Sequence, residues 1–249
     1  MPQRQITALV LDAQNFKEQD KLVTLLNPDE GVLHAVAPGA ARFKNRFGPL
    51  FELFTEGEFL FYEKENRNLV TISRGEIIKS HFFSVCRGPN VFLYYLVAEV
   101  VIKFLPQKDH ARRTYRLIKS LLDLPAETAD PPLRLLYFLI WVLRIEGVLF
   151  QVRRCSNCHQ SLKDHGWLRE DYHGLLCSRC RTNEERKMDR GARAFINWTR
   201  THSPDQLAEL SHSLSIGNLN RLLLEMIEYH GECSLKSSRY LPAIHPSLP

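Results

Sequence analysis

Residues 51–62 read Phe51-Glu52-Leu53-Phe54-Thr55-Glu56-Gly57-Glu58-Phe59-Leu60-Phe61-Tyr62. Phe51, Leu53, Thr55, Gly57, Phe59 and Phe61 alternate with a face that carries Glu52, Glu56 and Glu58. A period of two belongs to a strand with one side against a core. This is the longest strand candidate in the chain, and Gly57 in its middle predicts a bend or bulge. Upstream lie β-rich runs at 6–11, 22–26 and 32–37. They are separated by a polar break over 14–20 and by the turn residues Asn27-Pro28-Asp29-Glu30-Gly31. Downstream, residues 66–68 mark a turn and 69–72 a fifth strand.

Five short strands with no long helical period predict a small β-barrel over residues 1–80, of the size of a five-stranded OB-fold. The texture then changes. Residues 91–105 are apolar almost all round, broken by Glu99 and Lys103, and end at Pro106. Residues 111–124 are amphipathic: Tyr115, Ile118, Leu121 and Leu122 are apolar, while Arg112, Arg113, Arg116 and Lys119 occupy much of the remainder. Asp130-Pro131-Pro132 opens the longest helix, 133–147, with proline where a helix start tolerates it. Two further helices are expected at 190–201 and 216–229. The class is therefore α+β: a barrel over 1–80, a helical domain over 81–241 with an insert at 151–182, and a flexible tail at 242–249.

Lys and Arg number 33 against 28 acids, a net charge of +5. Residues 1–80 are close to balance, with 10 bases and 11 acids, while 81–150 and 151–190 each hold 9 bases and 6 acids. Nucleic-acid binding must then rest on local patches. The most apolar run, 135–143, lies between Arg134 and Arg144 and is far short of the roughly 20 residues that a spanning helix needs. The opening MPQRQITALVLD has neither the basic region nor the apolar stretch of an export signal, so a cytoplasmic chain is expected.

Four of the six cysteines form two close pairs, Cys155-Ser-Asn-Cys158 and Cys177-Ser-Arg-Cys180, with 18 residues between them. Each pair can form a knuckle that directs two thiolates at one ion. Trp167-Leu168, Asp171-Tyr-His-Gly174 and Leu175-Leu176 supply a hairpin that returns the second knuckle to the first. Four thiolates close a tetrahedral shell and leave no position for substrate, so one structural Zn²⁺ per chain is expected in a four-cysteine zinc ribbon. Cys86 and Cys233 read as packing residues. Walker A, G-x-G-x-x-G, G-x-S-x-G and H-E-x-x-H motifs are missing, so the sequence gives no catalytic residues.

The segment Gly39-Ala-Ala-Arg42-Phe43-Lys44-Asn45-Arg46-Phe47-Gly48 alternates three cations with two aromatics. Charge for phosphate and ring faces for bases are what single-stranded nucleic acid requires. The alternative is a solvated loop whose phenylalanines fold back into the barrel.

Residues 18–26 (Glu-Gln-Asp-Lys-Leu-Val-Thr-Leu-Leu), then Gly31-Val32-Leu33, Ala37-x-Gly39-Ala40 and residues 42–46 resemble the N-terminal signature of RecO, a family of bacterial recombination mediators. The order of barrel, helical domain and late four-cysteine insert agrees. So does Leu235-Lys-Ser-Ser-Arg-Tyr-Leu241, which is similar to the family's closing segment. The resemblance implies a non-enzymatic protein that binds single- and double-stranded DNA and anneals complementary strands. It also implies that the chain engages the C-terminal tail of single-stranded-DNA-binding protein and, with RecR, helps RecA load onto coated strands. On this reading Arg42, Lys44 and Arg46 meet phosphates, with Phe43 or Phe47 as stacking partners. An acidic, apolar tail needs an apolar groove with cations on its rim. Arg112, Arg113, Arg116 and Lys119, beside the helix 133–147, are the candidates. Two alternatives stay open: a zinc-ribbon adaptor that joins proteins with incidental nucleic-acid contact, and an RNA-binding variant.

Overall fold

The computed structural model describes residues 3–62, 70–105, 111–125, 128, 130–182, 186–210 and 216–244. Strands β1 (Gln3–Phe16), β2 (Asp20–Asn27), β3 (Gly31–Ala37), β4 (Glu56–Tyr62) and β5 (Val70–Lys79) form a closed barrel in the order β1-β2-β3-β5-β4. Neighbours are antiparallel except β3 and β5, which meet in parallel at Ala35–Val70 and Val36–Thr71. Ala8, Val10, Val23, Leu25, Phe59, Phe61 and Ile72 fill the interior. The alternation in β4 follows the sequence, with Phe59 and Phe61 fully buried between half-buried neighbours.

The structure changes the reading of 51–62 in three ways. The strand begins only at Glu56, because Gly48–Phe51 is a 3-10 turn and Phe54 sits at φ 57°. The longest strand among the described residues is β1, which continues past residue 11 because its backbone stays paired to β2 as far as Phe16–Asp20, although Asp12, Gln14 and Asn15 there are polar and Gln14 and Asn15 are exposed. Glu56 lies on no solvated face; it is 6% exposed. The bend expected at Gly57 is present as a register shift against β5. A β carbon at Gly57 would come within 2.9 Å of Leu50, and one at Gly75 closer still. The two glycines form a socket for the buried Leu50 of the 3-10 turn. The turn expected at 66–68 and the residue 69 that was to start β5 lie outside the described residues.

The helices are α1 (Phe82–Cys86), α2 (Asn90–Phe104), α3 (Ala111–Leu122), α4 (Pro131–Ile145), α5 (Arg190–Trp198), α6 (Ile216–His230) and α7 (Leu241–Ile244). The texture of the chain changes near residue 80, but its compact units divide elsewhere. One holds Met1–Asp123 with Leu235–Tyr240, the other Leu124–Ser234 with Leu241–Pro249. Two interactions explain why the first unit extends past the barrel. Glu56 accepts hydrogen bonds from the Tyr115 hydroxyl at 2.7 Å and from Lys119 Nζ at 2.7 and 2.9 Å, which fastens α3 to β4. Glu99 on α2 accepts the backbone N–H groups of Lys236 at 2.8 Å and Ser237 at 2.6 Å, so the 3-10 turn Lys236–Tyr240 belongs here as well. The tail expected at 242–249 is helical at its start: α7 buries Leu241 and Ile244. Residues 245–249 lie outside the described residues. In the second unit α4 is buried nearly throughout and packs on α6, with Asn220 donating to the Pro132 carbonyl at 2.9 Å. Among the described residues no helix is long and apolar enough to cross a membrane.

Burial pushes the Glu56 carboxyl up, but the hydrogen bonds from Lys119 and Tyr115 outweigh it and hold the group below its ordinary value. A depressed carboxylate contributes stability above its unfolded pKa, near 4.5, and loses it as pH falls through the folded value. Buried His81 is also lowered, by burial and then by Lys79, so it adds a loss that begins below about 6.5. Glu56→Ala leaves the ammonium and the phenol hydroxyl without their acceptor and should cost about 3 kcal/mol at pH 7. Denaturant titrations at several pH values should show this, together with a flatter stability profile below pH 4.5 than in the unmodified chain.

Candidate metal centre and nucleic-acid surfaces

The cysteine quartet is assembled by backbone geometry in the second unit. In the first knuckle His159 adopts φ 59° and returns its N–H to the Cys155 carbonyl at 2.9 Å, while the Cys155 N–H reaches Gln160 O at 2.8 Å. In the second, the N–H groups of Cys180 and Arg181 both meet the Cys177 carbonyl at 3.0 Å. Strands β6 (Gly166–Leu168) and β7 (Leu175–Leu176) pair as the hairpin the sequence predicts, turning through Arg169–Gly174. Ser156 N–H donates to Leu175 O at 2.8 Å and joins the first knuckle to β7. A β carbon on Gly174 would lie 2.6 Å from that of Ser156, so no side chain fits at this approach.

The four sulfurs lie within 4.8 Å of one another, and Cys158 Sγ is 3.7 Å from Cys177 Sγ. Bonds of about 2.3 Å to a tetrahedral ion give an edge near 3.8 Å, so the spacing fits one metal ion. Cys155 is fully buried and the other three face outward to varying degrees. Burial drives the Cys155 thiol up, but the N–H groups of Cys158, Cys177 and Asn157 aimed at its sulfur bring it down to about 6. Cys180 is pushed up to about 12 by the sulfurs of Cys177 and Cys158. Four thiolates this close require a cation among them before all can ionise. Among the described residues no His or carboxylate joins this cluster.

Two supports of the ribbon were not read from the sequence. Strand β8 (Arg186–Met188) pairs with β6; it is three residues long with only Met188 buried, too short and too polar to register as a strand. Arg193, on α5, is 6% exposed and donates to the carbonyls of Val152 at 3.1 Å, Leu162 at 3.0 Å and Lys163 at 2.9 Å. One guanidinium thus pins both ends of the 152–163 turn to α5. Nothing local in the sequence marks Arg193 out among the chain's arginines.

In the first unit the 39–48 loop is tied down at both ends. Gly39 N–H donates to Asp20 at 2.9 Å, Ala41 N–H to Gln19 O at 2.9 Å, and Arg42 Nε to the Gln19 side chain at 2.6 Å. Asn45 Oδ1 accepts from the N–H groups of Phe47 and Gly48, each at 3.0 Å. Arg42, Lys44 and Arg46 are exposed, and Phe43 is 100% exposed. Phe47 does not serve as a stacking platform. It is 5% exposed, packed 5.0 Å from the Phe51 ring, with the Arg46 guanidinium 4.8 Å from its centroid. The two phenylalanines therefore divide between the two alternatives that the sequence leaves open.

The four cations of α3 also divide. Lys119 is engaged by Glu56, and Arg112 pairs with Asp29 at the β2–β3 turn. Both pairs fasten the helix to the barrel. Arg113 and Arg116 are exposed and, among the described residues, carry no ion pair. Most apolar side chains of α4 are buried, with Trp141 half-buried.

Residues 1–81 match the family model described as Recombination protein O N terminal, and residues 90–239 match Recombination protein O C terminal. The DNA repair protein RecO of Symbiobacterium thermophilum is 28% identical over 249 residues, covering 96% of each chain. That of Thermodesulfovibrio yellowstonii is 30% identical over 70% of this chain and 68% of its own. That of Koribacter versatilis is 28% identical over 70% and 71% respectively.

The sulfur geometry generates a direct test. Cobalt(II) added to chelator-treated chain should produce the absorption of a tetrahedral tetrathiolate, saturating at one ion per chain and releasing protons as it binds. Cys155→Ser should abolish the tetrathiolate spectrum. An octahedral spectrum in the unmodified chain would mean that the knuckles do not converge on one ion.

Proposed function

Because the chain belongs to the RecO family, we propose that it is a DNA-binding recombination mediator that catalyses no reaction of its own. The barrel serves as an OB-fold and holds single-stranded DNA along its cationic loop. The chain anneals complementary strands and also binds duplex. With RecR it helps RecA load onto strands coated by single-stranded-DNA-binding protein, working in the cytoplasm at the nucleoid. The cysteine ion is zinc, one per chain. Its role is structural, since four thiolates leave no open coordination position.

The observation that carries this reading is the loop: three exposed cations alternating with a fully exposed Phe43, on a backbone fixed to a closed barrel. Arg42, Lys44 and Arg46 attract phosphate, and Phe43 offers one ring for a base. Phosphate contacts carry little sequence information, so binding is largely sequence-independent. Arg113 and Arg116 supply the charge that meets the acidic tail of single-stranded-DNA-binding protein. The near-balanced charge of residues 1–80 favours a second reading, a zinc-ribbon adaptor between proteins with incidental DNA contact.

Fluorescence titration of a labelled oligonucleotide across salt concentrations separates these readings. Each lost phosphate contact should lower the single-strand salt slope by about 0.7. Changing Arg42, Lys44 and Arg46 together to Ala should lower it by up to roughly 2 and slow annealing. No DNA binding by the unmodified chain at low salt would favour the adaptor. Separately, Arg113→Glu with Arg116→Glu should weaken a fluorescent acidic tail peptide at least tenfold. Unchanged peptide affinity would remove α3 from that interaction.

A further inference from the structure

A cleft of about 1160 Å³ opens in the second unit between the root of the ribbon and α5. Arg153, Arg154, Lys163, Arg190 and Arg200 line it, all exposed, against one carboxylate, Asp164. None of the five cations is ion-paired among the described residues, whereas the exposed Arg169 and Arg186 of the same unit both have carboxylate partners. The walls are stiff. Arg154 pairs in a bridge with Ser161, the Leu162 N–H returns to Arg153 O at 2.9 Å, and the Arg193 clamp fixes this turn to α5. Cations that project from a fixed backbone around one cleft, with a single carboxylate among them, create a focused positive potential. The field is felt nearby: Arg193 is lowered by burial and then by Arg190, and Arg144 is lowered to about 10 by burial and then by Arg200.

The geometry points to a second nucleic-acid site in this cleft, one that takes the sugar–phosphate backbone and does not read bases. It rests on the reading of the chain as a DNA-binding protein and adds to the barrel loop a separate seat for a strand. Two features identify the occupant. The cleft is far larger than one phosphate and its cations are spread around it, which suits a chain of phosphates. Among the described residues no phenylalanine, tyrosine or tryptophan lines it, its rings being the small imidazoles of His159 and His173, and its Val152 and Leu162 are buried, so it has neither a large stacking platform nor an apolar groove for the side chains of an acidic peptide. A bound ion with four thiolates adds a net charge of about −2 at the Cys155 edge, which still leaves the cations in excess. A chain with two such seats can hold two strands with their charges screened, which annealing requires.

The test compares three full-length proteins: the unmodified chain, the loop variant (Arg42→Ala, Lys44→Ala, Arg46→Ala) and a cleft variant (Arg154→Ala, Lys163→Ala, Arg200→Ala). The cleft substitutions are all exposed, and retained zinc content and circular dichroism verify the fold. Each protein is titrated across salt concentrations with a labelled thymidine oligonucleotide and with an abasic strand of equal length. The cleft variant should lower the salt slope by roughly 2 on both strands, because its contacts are to backbone alone. It should also reduce annealing when single-strand affinity at the loop is intact. If the loop variant lowers the slope and the cleft variant does not, the cleft site is overturned and the DNA-binding function stands. If the unmodified chain binds neither strand, the function itself fails. If the cleft variant loses affinity only for an oligoglutamate probe while its DNA slope is unchanged, the cleft receives an acidic protein segment and the proposal is wrong.

Discussion

A carboxylate buried at the start of a barrel strand cannot remain there without cationic company, and this constraint organises the first unit. Glu56 is removed from water and stays ionised through Lys119 and Tyr115, both contributed by α3. Isolated burial of such a charge would cost several kcal/mol. The helix is therefore part of the barrel's electrostatics, and the compact unit ends at Asp123 instead of at the last strand. The same logic sorts the basic residues of α3. Lys119 and Arg112 are used in holding the helix, and what remains for a partner is Arg113 and Arg116.

How much was legible follows from the range of each interaction. The alternation in 51–62 exposed the inward Phe59 and Phe61, because strand burial is written residue by residue. The cysteine spacing exposed the metal quartet, because two knuckles are local motifs. The resemblance of residues 18–46 and 235–241 to a family carried the functional reading further than composition did. The alternation places Glu56 on the polar face and does not reveal its burial, because its partners lie 59 and 63 residues away. Arg193 was invisible for the same reason, with acceptors 30 to 41 residues distant. Phe43 and Phe47 could not be told apart by pattern. The difference arises from the 3-10 turn beginning at Gly48, which draws Phe47 inward with Leu50 and Phe51.

The loop and the cleft use a common device with different outcomes. In each, side-chain hydrogen bonds fix the backbone so that cations project from a rigid frame: Asp20 and Asn45 for the loop, Arg193 for the cleft. Preorganisation limits the ordering cost on binding to the side chains themselves. The loop adds the exposed phenyl ring of Phe43, whereas the cleft has no large ring beside its cations, so the two surfaces differ in what they offer a base.

The path of the chain also has a consequence for its synthesis. The first unit is left at Asp123 and re-entered at Leu235, so residues 124–234 of the second unit are inserted within it. The carboxylate of Glu99 receives its partners from residues 137 and 138 positions later in the chain. At a translation rate of about 5–20 residues per second, roughly 5–20 s pass between the emergence of α3 and that of the closing turn. During that interval the first unit lacks its last segment, while residues 124–234 of the second unit emerge. The nascent first unit must therefore remain soluble while incomplete, with Glu99 held meanwhile by Lys103 at 2.7 Å. The first unit is thus closed only after residues 124–234 have been synthesised, so its last contacts form late relative to its barrel.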